Sequence, residues 1–134
     1  VLKGAFVFLA DLVRAFDGPV SLDFIAVSSY ARGTTSSGEV RMLKDLDSAI
    51  AGRHVLVVED VVDTGLTLRF VAKTLRLRDP SSLAAVALLD RPYRRLVDDI
   101  ELRYVGFTVP DELFAGYGLG LDERWRARRA AHTS

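Results

Sequence analysis

The 134-residue chain contains no cysteine and has no excess of charge of either sign. Without cysteine it forms no disulfide and has no thiolate nucleophile or metal ligand, and it suits a reducing compartment. Lysine plus arginine and aspartate plus glutamate number 18 each, so net charge does not direct the chain to nucleic acid or to an anionic membrane. No apolar run is long enough to span a bilayer. The classes of protein that remain are those of one ordinary globular domain over residues 1–134. Because the sequence starts within an apolar run at Val1, we expect an N-terminal segment before it.

Short apolar runs alternate with helical patterns along the chain. The spacing of apolar residues predicts helices at 5–16 and 67–78 and a helical turn at 47–51; strands at 22–28, 40–43, 54–60, 81–89 and 102–109; and a helical but finally frayed end at 123–134. The polar stretch at 28–39 is typical of a mobile loop. This alternation predicts an α/β fold with a mostly parallel, twisted sheet flanked by helices.

One stretch, "VLVVEDVVDTGLTL" at 55–68, joins a buried strand to a helix through three acids and a small-residue turn. The first amides of a helix have no intrahelical acceptor, and the helix dipole favours an anion there. Gly65 permits close backbone approach, and Thr64 and Thr67 add hydroxyl donors. The turn lacks the lysine and the glycine spacing of a Walker loop. It therefore predicts a phosphate site of another kind.

The three acids beside that turn need a separate explanation. A ligand with one phosphate, sugar hydroxyls and bound Mg²⁺ accounts for them. Glu59 and Asp60 would accept hydrogen bonds from a ribose diol and help to hold the metal, and Asp63 would exchange a proton with an incoming group. The structural alternative makes Asp63 a helix N-cap and Glu59 and Asp60 solvated acids at a strand end.

The same stretch resembles the phosphoribosyl-pyrophosphate-binding motif of the type I phosphoribosyltransferases. Four further stretches resemble the hypoxanthine-guanine branch of that family: "LKGA" at 2–5, "SSYARGTTSSGEVRMLKDLD" at 28–47, "LLDRP" at 88–92 and "VGFTVPDELFAGYGL" at 105–119. The resemblance implies the family's fold, with a mobile loop over the site. It implies transfer of phosphoribose from phosphoribosyl pyrophosphate to hypoxanthine or guanine, giving IMP or GMP and pyrophosphate. It also implies a Mg²⁺ cofactor, a cytoplasmic location and a homo-oligomer.

The resemblance also assigns roles to matching positions. Asp63 matches the group that accepts the proton of purine N7, and Glu59 and Asp60 match the acids at the ribose diol and the metal. The 5′-phosphate loop matches Asp63, Thr64, Gly65, Leu66 and Thr67. The pyrophosphate site matches Leu2, Lys3, Gly4, Ser28, Ser29, Tyr30 and Arg126, and the purine site matches Arg91, Leu113 and Phe114.

Three positions depart from the family pattern. Arg91 replaces the usual lysine at the purine 6-oxo group, and Leu113 replaces the usual stacking aromatic, with Phe114 beside it. Gly120 falls where the family has a metal-binding aspartate, and Asp122 lies two residues further on. We therefore expect a weakened dependence on metal rather than its loss.

Two other functions stay open at the level of sequence. One is a phosphoribosyltransferase that prefers xanthine or a pyrimidine, which base competition would identify. The other is a non-catalytic regulator of the same fold that binds nucleotide or nucleic acid, for which the arginine cluster at 124–129 is the main support. The balanced total charge gives no second basic surface, so we do not expect nucleic acid as a partner.

Overall fold

The computed structural model describes residues 1, 3–29, 40–110, 114–115, 117 and 132–133. Its centre is a three-stranded parallel sheet in the order β3-β4-β5, accompanied by two antiparallel pairs, β1-β2 and β6-β7. The elements in chain order are α1 (Phe6–Ala15), β1 (Ala26–Ser29), β2 (Val40–Lys44), β3 (His54–Val62), α2 (Leu66–Arg76), β4 (Ser82–Asp90), a 3₁₀ turn (Pro92–Arg94), β5 (Tyr104–Thr108), β6 (Phe114–Ala115) and β7 (His132–Thr133).

The core lies between the sheet and α2, whose apolar stripe faces it. Leu68, Val71 and Leu75 recur at helical spacing and are all at most 3 % exposed. They pack with sheet residues that include Val57 and Ala87. The valine-rich β3 and the alanine-rich β4 are buried enough to need the parallel, helix-covered arrangement that the sequence predicts. The α/β prediction is therefore confirmed.

The helix α1 confirms the prediction at 5–16, but it is poorly covered. It has no fully buried residue, although most of its side chains are apolar. Phe6, its first residue, is 49 % exposed, and Phe16, just beyond its C-terminus, is 60 % exposed. Arg14 and Tyr117 both bond to Asp11 on this helix. Within the described residues, no helix is long and apolar enough to cross a membrane.

The helical turn predicted at 47–51 is wrong. The backbone amides of Asp47 and Ser48 donate instead to the Asp23 carboxylate, at 3.0 and 3.1 Å. A side-chain acceptor thus takes the donors that would begin a helix. Gly52 does close this stretch, with φ of +72° and its amide on the Asp79 carbonyl at 2.9 Å.

Two further expectations about the chain's course have mixed outcomes. His132 and Thr133 pair with Ala115 and Phe114, so this part of the chain end is a strand and not frayed. The helix expected before it, at 123–131, lies outside the described residues. The loop expected at 28–39 begins later than predicted, because Ser28 and Ser29 belong to β1, and its remainder at 30–39 is not described.

Candidate active site

The strand β3 runs past the two acids that were expected to end it. It continues through Val61 and Val62, which pair with Leu89 and Asp90 of β4. Consecutive strand residues point to opposite faces, so the side chains of Glu59 and Asp60 leave β3 in different directions, although they stay neighbours at its end. Glu59 is buried at 5 % exposure, whereas Asp60 is half-buried.

Glu59 is an acid in an environment that disfavours its charge. Burial raises the pKa of Glu59 to about 8, and the neighbouring Asp60 carboxylate adds to that rise. Its Oε1 atom is buried and has no hydrogen-bond partner in the described part of the chain. An orphaned buried carboxyl oxygen is costly unless a ligand hydroxyl or a cation completes it. The environment of Glu59 therefore fits a ligand that brings a hydroxyl group, a cation or both.

The stretch at 1–4 lies against the same end of β3. The Val1 nitrogen donates to the Val58 carbonyl at 2.8 Å. A Cβ atom on Gly4 would overlap Oδ2 of Asp60, so only glycine fits beside that carboxylate as it stands. Gly4, predicted for the pyrophosphate site, is thus placed directly beside an acid predicted for the ribose and metal site.

The turn from β3 into α2 has the geometry expected of an anion site. Gly65 is its N-cap residue, with φ of +85°, in the left-handed region that favours glycine. Asp63 is therefore not the N-cap, and that structural alternative is wrong. The carbonyl of Thr64 accepts a hydrogen bond from the backbone amide of Leu96 at 2.9 Å. The Thr64 hydroxyl accepts one from the backbone amide of Leu66 at 3.3 Å.

Asp63 forms an ion pair with Arg91, which follows β4. Arg91 Nε lies 3.2 Å from Asp63 Oδ1, and Arg91 Nη1 donates to Asp63 Oδ2 over 3.4 Å. The backbone of Arg91 is held at both polar groups: its amide donates to the Val62 carbonyl at 2.9 Å, and its carbonyl accepts from the Arg94 amide at 3.2 Å. The sequence did not predict this pair.

A segment with no predicted role, residues 95–100, supports the phosphate turn from outside. Besides the bond from Leu96 to Thr64, Val97 and Ile100 occupy the space that a Gly65 side chain would need. Arg95 pairs with Asp90 at the end of β4, which fixes where the segment starts. Only the apolar Leu96, Val97 and Ile100 within a charged stretch hint at this contact in the sequence.

The structure brings together one part of the predicted site and leaves another undescribed. Glu59, Asp60, Asp63 and the turn through Thr67 meet at one edge of the sheet, with Gly4 and Arg91 beside them. Lys3 is exposed next to Gly4. Ser28 and Ser29 pair with Arg41 and Val40 in the β1-β2 ribbon, and Phe114 pairs with Thr133. The remaining predicted residues, Leu2, Tyr30, Leu113 and Arg126, lie outside the described residues, as do Gly120 and Asp122.

A parallel α/β domain with acids and a helix-opening anion turn at the carboxyl edge of its sheet defines a sugar-phosphate-binding class. The model of the phosphoribosyl transferase domain matches residues 1–123. The chain belongs to this family, in its hypoxanthine-guanine phosphoribosyltransferase branch.

Relatives from several bacteria support that branch. The chain is 48 % identical to the hypoxanthine phosphoribosyltransferase of Haemophilus influenzae over 94 % of its own length and 70 % of that protein. It is 52 % identical to the hypoxanthine-guanine phosphoribosyltransferase of Mycobacterium bovis over 94 % of its own length and 62 % of that protein. A crystal structure of a hypoxanthine phosphoribosyltransferase from Staphylococcus aureus superposes with a TM-score of 0.92 at 45 % identity, over 98 % of this chain and 71 % of that one.

Proposed function

We propose that this domain transfers the phosphoribosyl group of phosphoribosyl pyrophosphate to hypoxanthine or guanine, forming IMP or GMP and releasing pyrophosphate. The observation that carries the proposal is the meeting of three elements at one sheet edge: an anion turn, two acids at its strand and a partly exposed Asp63 between them. The names of relatives that share about half of the sequence support the choice of substrates. No observation favours xanthine, a pyrimidine or a nucleic acid.

Each group has one chemical task in this proposal. The first amides and the dipole of α2 bind the 5′-phosphate through residues 64–67. Glu59 and Asp60 accept hydrogen bonds from the ribose diol. The purine N9 attacks the anomeric carbon while its bond to the pyrophosphate oxygen breaks, and Asp63 accepts the proton that leaves N7. Catalysis rests mainly on this placement and on stabilisation of the departing charge.

Mg²⁺ fits the acids of this edge. Within the described residues no three acidic or histidine side chains form a metal cluster, but Mg²⁺ is commonly held by one or two carboxylates, with substrate oxygens and waters completing its shell. The buried, unpartnered Oε1 of Glu59 and the neighbouring Asp60 supply two such carboxylates. Bound there, the ion would neutralise developing charge on the pyrophosphate. Lys3 and Gly4, with the other predicted pyrophosphate residues, would bind the remainder of that group.

The protein is proposed to act in the cytoplasm as a homo-oligomer. Support for self-association comes from α1 and the turn that follows it, where Phe6, Phe16, Val20 and Leu22 are each 46–60 % exposed. Exposed apolar side chains in such number are typical of a protein interface. A second copy of the chain is the occupant proposed for it.

Two measurements test the proposed activity. Calorimetry with phosphoribosyl pyrophosphate and Mg²⁺ measures donor binding, and a spectrophotometric assay with hypoxanthine, guanine and xanthine identifies the acceptor. We expect Asp63→Asn to keep GMP binding and to lose about 10²–10⁴-fold in kcat, the usual contribution of a positioned acid–base group. Asp17→Asn, an exposed acid after α1, is the matched control. Wild-type turnover in Asp63→Asn would remove Asp63 from the mechanism.

A further inference from the structure

We propose that Arg91 is a positioning residue, which holds the carboxylate of Asp63 in one orientation and acts on the reaction only through it. This inference rests on the proposed function, since it assumes that Asp63 accepts a proton. It differs from what the family resemblance implies for position 91, a side chain that donates directly to the purine 6-oxo group.

Arg91 and Asp63 differ in how far their side chains are exposed. The Arg91 side chain is 6 % exposed, whereas that of Asp63 is 37 % exposed. A ligand that enters from the open edge of the sheet therefore meets Asp63 first. The guanidinium is buried against the carboxylate, and the backbone of Arg91 is held by its bonds to Val62 and Arg94. It cannot reach a purine without leaving both its burial and its ion pair.

The two carboxylate oxygens of Asp63 lie in different environments. Oδ1 is buried and faces Arg91 Nε at 3.2 Å, in a contact without hydrogen-bond geometry. Since Oδ1 has no accessible surface, the exposure of the side chain belongs to its other atoms. Oδ2 takes only a long bond of 3.4 Å from Nη1. Arg91 thus turns Oδ1 inward, and Oδ2 is the oxygen that faces an incoming N7 proton.

The structure pairs Asp63 with Arg91, at 3.2 and 3.4 Å. Of the two further cations on the same segment, Arg94 and Arg95, the second pairs with Asp90. The acids Glu59 and Asp60 of β3 and the exposed Lys3 of the N-terminal stretch also belong to this edge of the sheet. A negative neighbour such as Asp60 offers the Asp63 carboxylate no attraction, so the loss of Arg91 would free that carboxylate to rotate.

An arginine suits this task better than the lysine usual in the family. A planar guanidinium addresses both oxygens of a carboxylate, and so fixes its rotation as well as its position. An ammonium is a single point charge and fixes position alone. The departure at position 91 therefore replaces a side chain that the family uses at the purine 6-oxo group with one suited to holding Asp63.

A double-mutant cycle tests the inference, with kcat and the KM for hypoxanthine measured for the wild type, Arg91→Gln, Asp63→Asn and the double variant. We expect Arg91→Gln to lower kcat by about 10–100-fold, less than the loss of the acid–base group itself, and to leave KM within about threefold. In the Asp63→Asn background the same change should alter kcat by less than about twofold, since the group it positions is gone. Affinity for GMP, measured by calorimetry, should not change.

Other outcomes separate the inference from the proposed function. A raised KM, a weaker GMP affinity and an unchanged kcat for Arg91→Gln in both backgrounds would show that Arg91 reads the purine directly. Additive losses in kcat would also overturn the inference while leaving the role of Asp63 intact. Wild-type kcat in Asp63→Asn alone would overturn the proposed role of Asp63 itself.

Two further variants keep the test decisive. Arg91→Lys keeps the charge, and it replaces Arg91→Gln in both backgrounds if the glutamine variant does not fold. We expect the kcat of Arg91→Lys to lie between those of Arg91→Gln and the wild type. A kcat no higher than that of Arg91→Gln would contradict a positioning charge. Arg76→Gln removes an exposed arginine at the end of α2 and should leave both constants unchanged. A loss there equal to that of Arg91→Gln would mean that the effect is not specific to the pair.

Discussion

Single residues at the sheet edge show how the site trades stability for binding. Glu59 is 5 % exposed, with an unpartnered oxygen, where a glutamine or an apolar side chain would cost less. Residues of this kind are found where a ligand completes them. The candidate site therefore has a measurable effect on folding even when no ligand is bound.

We predict that the metal-free protein loses stability between pH 4.5 and about pH 8. Below the ordinary pKa of 4.5, Glu59 is protonated in both states. As the pH rises to about 8, the unfolded chain releases this proton while the folded chain keeps it, so the free energy of unfolding falls by on the order of 1–3 kcal/mol. Glu59→Gln should remove that fall.

The measurement is the thermal midpoint against pH with EDTA present, for the wild type and Glu59→Gln. The variant should gain most over the wild type near pH 8 and least near pH 4.5. An equal difference at all pH values would show that Glu59 is not held protonated by burial.

Two glycines in the left-handed region separate backbone strain from packing. Gly65 and Gly52 have φ of +85° and +72°, but a Cβ on Gly65 would lie 2.8 Å from Val97 and 2.9 Å from Ile100, whereas one on Gly52 meets nothing within 4 Å. We expect Gly52→Ala to cost about 1–2 kcal/mol of stability from strain alone. Gly65→Ala should cost about 1–3 kcal/mol more from overpacking, and should weaken GMP binding.

Chemical denaturation and calorimetry of the two alanine variants check this prediction. From the sequence we expect Gly65 to permit close approach of the phosphate; in the structure its lack of a side chain also leaves room for Val97 and Ile100. Equal losses of stability in the two variants, or unchanged GMP affinity in Gly65→Ala, would contradict that account.

The sequence predicted Glu59, Asp60 and Asp63 as one group because they follow a single buried strand. It missed the partner of Asp63, although the information was present in the register. Residues paired between β3 and β4 are 28 apart, from His54 and Ser82 to Val62 and Asp90, and the same separation joins Asp63 to Arg91. The register follows from packing the two strands, which periodicity alone does not supply.

At the scale of elements, the N-terminal stretch and β3 contact each other through Gly4 and Asp60. We predict that Gly4→Ala weakens binding of phosphoribosyl pyrophosphate, because its Cβ would overlap Asp60 Oδ2 and move either the loop or the acid. No strain in φ contributes, since Gly4 lies outside the left-handed region. The effect is therefore steric, and the nearest atoms that the new Cβ would meet belong to Asp60.

A second cycle tests this contact through stability. Asp60→Ala removes the overlap, so Gly4→Ala should destabilise the wild type by about 1–3 kcal/mol and the Asp60→Ala protein by much less. Equal effects in the two backgrounds would show that the two residues do not meet.

Elements with strong periodicity were predicted within a few residues, and the one that failed was decided by a distant side chain. The helices at 6–15 and 66–76 and the strands of the sheet follow their apolar patterns. The segment 47–51 carries an acceptable helical pattern, but its amides bind the carboxylate of Asp23, 24 and 25 residues away in the chain. Local sequence does not report such a contact, so tertiary structure overrides the propensity.

At the scale of the whole molecule, the described part has a well-packed side and a poorly covered side. The face of the sheet under α2 holds the main core, whereas α1 buries none of its residues. Of the apolar residues that predicted α1, Phe6 and Phe16 are exposed, and the sequence had no means of showing what covers them. Among the residues that the structure describes, an apolar helix without a fully buried side chain is typical of a subunit interface.

We predict that the protein self-associates through the surface formed by Phe6, Phe16, Val20 and Leu22. Phe16→Asp places a charge in the middle of it, and a charge buried in an apolar interface without a partner opposes association. Light scattering should therefore give a multiple of 14.8 kDa for the wild type and a smaller multiple for Phe16→Asp. Leu77→Asp is the matched control, since Leu77 is 84 % exposed beyond α2 and away from this surface. A wild-type mass of one chain, or the same decrease in both variants, would show that α1 is not the interface.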